Sequence, residues 1–451
     1  MPIDTPSLLL ALAGVVLVGF LGILLFERTR IPDLVWLLLL GILVGPVNVA
    51  FLHLAPLTEL ITPGRIDLLT PPLATLALIV ILFEGGLNIH IRDLRTAAAA
   101  TAFHTAAVFT LTAVLVYGIA VLLLEVPPVI ALLEAFILAG TSGAVMVSLT
   151  RRMRMGPGVR LVLVLEAILT TVVATALVLA VLRALERGTG IDATFVAGFV
   201  TANLALGYAV GLPVGLAWLF VVHRVHKVPF AFMTTLAISF LVYVLAEALN
   251  GSGLLGVLVF GIVLGNGEVI TARLGRPLQF PEDPGFRRFM QEVSFLFSAF
   301  FFVLLGILFQ PDPAALSAFG TSLPVLSALN GTVALVAVAL LGYLGAFVLA
   351  RAAAAPITLR LLRGSREDRG LLWALFPRAK ATAVLSLLPF ASASYAETAS
   401  PYHTTLAPYR SLVVNTALLV ILVSVLATAV SAFVLERRRS RIPPPPQPER
   451  E

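Results

Sequence analysis

Apolar residues in this chain fall into blocks long enough to cross a lipid bilayer, separated by short polar stretches that hold most of the charge. Taking roughly 20 apolar residues as one crossing, the pattern predicts about thirteen helical spans, near 6–27, 32–49, 69–90, 96–124, 128–150, 158–183, 192–222, 228–249, 251–266, 288–309, 322–358, 370–394 and 407–435. The first block has no basic leader and no small-residue cleavage pattern, so it reads as a retained helix rather than a signal peptide.

Loops kept in the cytoplasm carry the Lys and Arg excess, and here every second connection is basic. These connections hold Arg28 and Arg30; Arg92 and Arg95; Arg151, Arg152, Arg154 and Arg160; Arg224 and Lys227; Arg273, Arg276, Arg287 and Arg288; Arg351, Arg360, Arg363, Arg366 and Arg369; and Arg437, Arg438, Arg439, Arg441 and Arg450. The intervening connections hold only Arg65, Arg183, Arg187 and Arg410, which leaves Arg378 and Lys380 inside the membrane. The implied topology has the N-terminus outside and the C-terminus in the cytoplasm of a cell (inner) membrane.

Composition supports this picture. The chain is 59% hydrophobic and only 12% charged, with a mean hydropathy of +1.03 over 451 residues, outside the range of soluble domains. The fold class is an all-α polytopic membrane protein. With no Cys there is no disulfide framework or thiolate metal site. The pI near 10.0 comes from basic residues in membrane-flanking loops, so no nucleic-acid partner is implied and membrane lipids are the expected surroundings. The connection at 267–285 is polar and Pro-rich, and the tail at 443–451 is too rich in Pro and polar residues to pack. No nucleotide-binding loop and no cofactor motif occurs, so an ion or substrate gradient must drive any transport.

The chemistry concentrates in a few residues. The segment 371–386 (LLWALFPRAKATAVLS) places Arg378 and Lys380 within an apolar span, where charge is costly and usually functional. Lysine is also rare, because Arg supplies 28 of the 30 basic residues. Every Asp lies in a loop or at a helix end, so only Glu can act at depth. Glu84, Glu247 and Glu292 lie near span ends, where snorkelling to the headgroups accounts for them. Glu134 stands a turn or two inside the fifth span, and Glu166 well inside the sixth. Arg378, at similar depth, is the partner expected for Glu166. Two spans also look interrupted: Ala139-Gly140-Thr141-Ser142-Gly143 in the fifth and Phe376-Pro377-Arg378 in the twelfth. Breaks in corresponding positions of two halves point to a midplane transport site, where unwound backbone and half-helix ends face a substrate. They also fit an inverted repeat. The six His stand singly in loops or at span ends, apart from His104, and His223 with His226 shares a basic turn without a carboxylate. That argues against a membrane-embedded enzyme.

Four stretches carry a resemblance to a known family: 17–46 (LVGFLGILLFERTRIPDLVWLLLLGILVGP), 82–89 (LFEGGLNI), 300–307 (FFFVLLGI) and 376–389 (FPRAKATAVLSLLP). With these motifs in order along the chain, it resembles the monovalent cation:proton antiporters of the NhaP-like branch. The resemblance implies a sodium/proton antiporter-like fold of about 13 transmembrane helices, with broken fifth and twelfth helices crossing. It also implies a homodimer with dimerisation helices in 1–95, core helices in 96–186, linker and dimerisation helices in 187–310, core helices again in 311–436, and a tail at 437–451.

The ion site departs from the family pattern. Where the family shows Thr-Asp-Pro, this chain has Thr141, Ser142 and Gly143. Where the family shows Glu-Ser-x-x-Asn-Asp, it has Glu166, Ala167, Ile168, Leu169, Thr170 and Thr171. Where the family shows Phe-Pro-Arg-Gly-Leu-Ala, it has Phe376, Pro377, Arg378, Ala379, Lys380 and Ala381. The resemblance implies exchange of Na⁺ or K⁺ for protons by an elevator-like movement. The expected ion and proton site is Glu166, Thr141, Ser142, Thr170 and Thr171, with Arg378 and Lys380 setting the site charge. Both family aspartates are absent and a lysine is new. Two alternatives therefore stay open: transport of an anion or other solute through a site containing Lys380, and a homologue that does not transport. On a regular helix, residues two apart point to opposite sides, so whether Lys380 faces the site depends on the break at Pro377.

Overall fold

The computed structural model describes residues 33–52, 63–89, 97–153, 155–188, 191–225, 230–249, 251–272, 284–309, 332–362, 368–391, 395, 397 and 400–439, with scattered positions between 13 and 24. Among these, every regular element is a helix. In chain order they are α1 (Asp33–Ile42), α2 (Pro63–Leu87), α3 (Ala98–Leu122), α4 (Pro128–Ala139), α5 (Gly143–Arg152), α6 (Pro157–Glu186), α7 (Ala193–Val225) and α8 (Ala231–Ala248). There follow α9 (Gly253–Gly265), α10 (Gly267–Ala272), α11 (Pro284–Ile307), α12 (Thr332–Leu362), α13 (Arg369–Ala374), α14 (Lys380–Leu387), α15 (Pro401–Leu406) and α16 (Arg410–Arg439). A wider, π-type stretch, Leu43–Leu52, continues α1 around Pro46.

Seven of the described helices are long and apolar enough to cross a membrane. From the second block onward, each predicted span overlaps a helix or a pair of half-helices. Most of the first span, the connections bearing Arg28, Arg30, Arg92, Arg95, Arg154, Lys227, Arg273, Arg276, Arg363 and Arg366, and the tail beyond 439 lie outside the described residues. The eleventh span, of which 322–331 lie outside the described residues, runs past its predicted end at 358: α12 continues to Leu362, so Arg351 lies three turns inside it and is buried. Its assignment to a cytoplasmic connection is therefore corrected. The run after it, Ala352 to Ala355, is apolar and extends the helix past the charge.

The helices pack in two groups. In one, α7 and α9 lie together, α9 lies along α2, α8 covers α7 and α9, and α11 packs on α1 and α2. In the other, α3 lies along α12 and against α4 and α6, while α14 packs on α16 and α4. The groups touch where α14 meets α2 and α11, and where α6 meets α7. Apolar side chains such as Leu241, Val244 and Leu245 on α8 and Leu341 and Leu349 on α12 point outward, as suits hydrocarbon.

The α1–α11 crossing depends on two glycines from the quoted motifs. A Cβ built on Gly41 would lie 2.8 Å from the Cα of Gly306, and one on Gly306 would lie 2.8 Å from the Cα of Gly41. Backbone stands on both sides, so no side chain can swing away. Overpacking of this kind costs about 1–3 kcal/mol or more. Gly306→Leu should therefore lower the thermal unfolding midpoint of the detergent-solubilised protein by several degrees, whereas Gly345→Leu, on an open face with nothing near its Cβ position, should leave it near the wild-type value.

Candidate functional site at the helix crossing

Both predicted breaks are present, and they meet. α4 stops at Ala139 and α5 begins at Gly143, with Gly140 and Ser142 in extended backbone between them. α13 stops at Ala374 and α14 begins at Lys380. The Ser142 N–H donates to the Pro377 carbonyl at 2.8 Å, joining one break directly to the other. Each break frees backbone groups that a bilayer cannot hydrate, and hydroxyls from neighbouring helices take most of them. The Thr141 N–H donates to Thr170 Oγ1 at 3.1 Å, and Thr171 Oγ1 donates to the Thr141 carbonyl at 3.2 Å. In the other break, the Phe376 N–H donates to Thr428 Oγ1 at 3.3 Å and the Arg378 N–H to Ser424 Oγ at 3.1 Å. Ser424 and Thr428 are one turn apart on α16, which lets one face of that helix serve both donors.

The charges at the crossing differ from the expected arrangement. Glu166 is paired with Arg351, not Arg378: Arg351 Nη2 donates to Glu166 Oε2 at 2.7 Å, and neither side chain is exposed, each at 0%. Arg351 also donates through Nη1 to the Leu372 carbonyl on α13 at 3.2 Å, tying α12 to the first half of the broken twelfth span. Arg378 Nη1 instead donates to Thr141 Oγ1 at 2.6 Å, and its guanidinium lies 4.3 Å from the centre of the Phe347 ring. That stacking recovers part of the cost of burying the charge. The expected Glu166–Arg378 pair is thus corrected: Arg351, inside the predicted eleventh span although counted with a basic connection, faces the carboxylate, while Arg378 faces Thr141.

Thr141 is the hub. Its hydroxyl donates to Glu166 Oε1 at 2.8 Å and accepts from Arg351 Nη2 at 3.1 Å and from Arg378 Nη1. All of its hydrogen-bonding capacity is used. Thr170 and Thr171 face the same break and hold its backbone, and Ser142 takes part through its N–H. Four of the seven expected site residues, Glu166, Thr170, Thr171 and Arg378, therefore bond to Thr141, a fifth; Ser142 joins them through its backbone, and Lys380 does not. The cluster holds two guanidiniums against one carboxylate, and Arg351 Nε, Arg378 Nε and Arg378 Nη2 are buried without partners. His104 stands at its edge, with Nδ1 2.9 Å from Thr358 Oγ1. Because that hydroxyl donates to the Ala354 carbonyl, the shared proton is assigned to the imidazole.

Lys380 points the other way, as the two-residue spacing from Arg378 allows. Its Nζ donates to Ser294 Oγ on α11 at 3.0 Å, and Ser294 Oγ donates to Glu84 Oε2 on α2 at 2.7 Å. The chain Lys380–Ser294–Glu84 bridges the second half of the broken helix to the other helix group. Glu84 is accordingly not a snorkelling residue, whereas Glu292 is, exposed beside Arg288 at 3.1 Å. The reason is orientation: Glu84 faces α11 and Glu292 faces outward. Ser294, Phe347, Ser424 and Thr428 carried no signal by themselves. Arg351 did carry one, since it is an arginine with apolar runs on both sides.

Removing one partner of a buried pair costs about 3–5 kcal/mol because the other charge stays behind. Arg351→Met should lower unfolding stability on that scale, and adding Glu166→Gln should recover much of it, as a double-mutant cycle on thermal unfolding in detergent would measure.

A family model described as "Sodium/hydrogen exchanger, transmembrane" matches residues 14–437. Among solved structures, the sodium proton antiporter MjNhaP1 from Methanocaldococcus jannaschii at pH 8 is similar at 21% identity and a TM-score of 0.72, over 96% of this chain and 99% of that one. A second structure of the same antiporter, from electron microscopy, matches at 18% identity and a TM-score of 0.71, over 98% of this chain and 100% of that one. No curated protein matches.

Proposed function

Because this chain belongs to the sodium/hydrogen exchanger family, matched over residues 14–437, we propose that it exchanges a monovalent cation, Na⁺ or K⁺, for protons across a cell membrane by alternating access. The observation that carries this reading is the pair of broken helices hydrogen-bonded break to break through Ser142 and Pro377. That arrangement brings unwound backbone and half-helix ends together, as secondary transporters do at their binding sites. In this reading the ion and proton site is Glu166, Thr141, Ser142, Thr170 and Thr171, with Arg351 and Arg378 setting its charge and Lys380 outside it on Ser294.

The state described is closed to a cation at that point. Every Thr141 bond is in use, and two guanidiniums outweigh the carboxylate. An uncompensated unit charge about 4 Å away opposes a cation by ~4 kcal/mol at the effective dielectric of such sites. Glu166 becomes a ligand only when the Arg351 pair opens. An elevator movement fits the packing: the core group is helices α3–α6 and α12–α16, the scaffold group α1, α2, α7–α9 and α11, with the protein acting as a homodimer. The Lys380–Ser294–Glu84 chain then serves as the clasp between them, since each of its hydrogen bonds can break and re-form without leaving a fully buried charge unpaired.

A second reading rests on a specific observation. The crossing carries net positive charge, three buried guanidinium nitrogens lack partners among the described residues, and the N-termini of α5 and α14 have no side-chain cap. Those are the properties of an anion site, so transport of a small anion or other solute is the alternative. Proteoliposomes separate the two. Under the cation reading, Na⁺ or K⁺ dissipates an imposed pH gradient and Lys380→Ala retains that exchange within a fewfold. If no alkali cation does so while an anion does, and Lys380→Ala abolishes it, the cation reading is wrong.

A further inference from the structure

Glu134 is the one described carboxylate that is buried within the spans and has no cationic partner. It is 2% exposed, on α4 seven residues before the hub Thr141. Tyr343 Oη of α12 donates to its Oε2 at 3.1 Å, and the Thr416 hydroxyl of α16 is its second hydrogen-bonding neighbour. The charged groups on neighbouring helices are engaged elsewhere. His104 of α3 lies on Thr358, Glu166 of α6 on Arg351, and Lys380 of α14 on Ser294, while the charges of α16 are at its ends. Among α12 residues, Tyr343 faces Glu134 and Arg351 does not.

Holding an ionised carboxylate there, with only the Tyr343 and Thr416 hydroxyls beside it and no cation among the described residues, costs several kcal/mol. The pocket accommodates the neutral acid, whose O–H supplies a donor that the carboxylate lacks. The position also suits a coupled role. Tyr343 and Arg351 stand about two turns apart on α12, and they contact Glu134 on α4 and Thr141 in the break that follows α4. A change in charge at Glu134 therefore bears on the helix that holds the Glu166 pair.

We propose that Glu134 is a proton-carrying carboxyl of the transport cycle, holding a proton in the buried arrangement described and releasing it when the core opens to water. The step is a plain acid–base exchange: water-borne H⁺ binds the carboxylate, and the same O–H bond breaks on release. It rests on the cation:proton reading and adds a proton site that the loss of both family aspartates would otherwise leave missing.

The test uses the full-length protein in proteoliposomes and in infrared difference spectra. Glu134→Gln, nearly isosteric with the neutral acid, should fold with wild-type stability. It should keep Na⁺:Na⁺ or K⁺:K⁺ counterflow within a fewfold and lose pH-driven exchange by tenfold or more, with Glu134→Asp restoring part of it. Independently, the wild type should show a protonated-carboxyl band that Glu134→Gln removes and Tyr343→Phe shifts. Wild-type pH coupling in Glu134→Gln would overturn the proposal and leave Glu134 a structural acid. Absence of the band would overturn it as well. If the wild type itself exchanges no cation for protons, the function reading fails, and the infrared band still reports whether Glu134 holds a proton.

Discussion

Glu166 and Arg351 meet at 2.7 Å with no solvent on either side chain, and the organisation of the crossing follows from what that pair requires. A carboxylate and a guanidinium in hydrocarbon each lose hydration that their mutual attraction alone barely repays, so the remaining donors and acceptors must also be filled. Thr141 fills one carboxylate oxygen and Leu372 one guanidinium nitrogen. Those two contacts draw the break in the fifth span and the first half of the broken twelfth toward the same point. The ion pair, the two breaks and α12 are one unit, and disturbing any of them leaves a polar group stranded in an apolar setting.

Backbone accounting explains why the rest of the core has the residues it has. Interrupting two helices exposes N–H and C=O groups that only protein can satisfy at this depth. The hydroxyls of Thr170, Thr171, Ser424 and Thr428 do so, and each sits on an uninterrupted helix that passes a break. Where the family pattern has Asn-Asp in the sixth span, this chain has Thr170 and Thr171, whose hydroxyls hold backbone. Among the described residues the crossing then holds two guanidiniums and one carboxylate.

Lys380 and Arg378 are two residues apart and belong to different structures. Arg378 lies in the extended break and reaches inward to Thr141, with Phe347 beneath it. Lys380 is the first residue of α14 and reaches outward to Ser294 and, through it, Glu84. The same short segment thus supplies one charge to the buried cluster and one to the boundary between helix groups. Chemistry at the crossing and contact across the boundary are linked through a few residues of backbone.

What the amino-acid sequence determined by itself is the part governed by solvent. Block length and hydropathy specify membrane-spanning helices, and Gly, Ser, Thr and Pro at 140–143 and 377 specify where two of them break, because those effects are local to the chain. The crossing of the breaks at Ser142 and Pro377, the choice of Arg351 over Arg378 for Glu166, and the isolation of Glu134 beside Tyr343 were decided by tertiary structure. Depth along a helix can be counted from sequence, but the direction a side chain faces and which of two arginines reaches a carboxylate depend on how helices rotate and pack. In hydrocarbon that packing is set by pairing buried charges and most buried polar groups together, a condition that involves residues more than 200 positions apart.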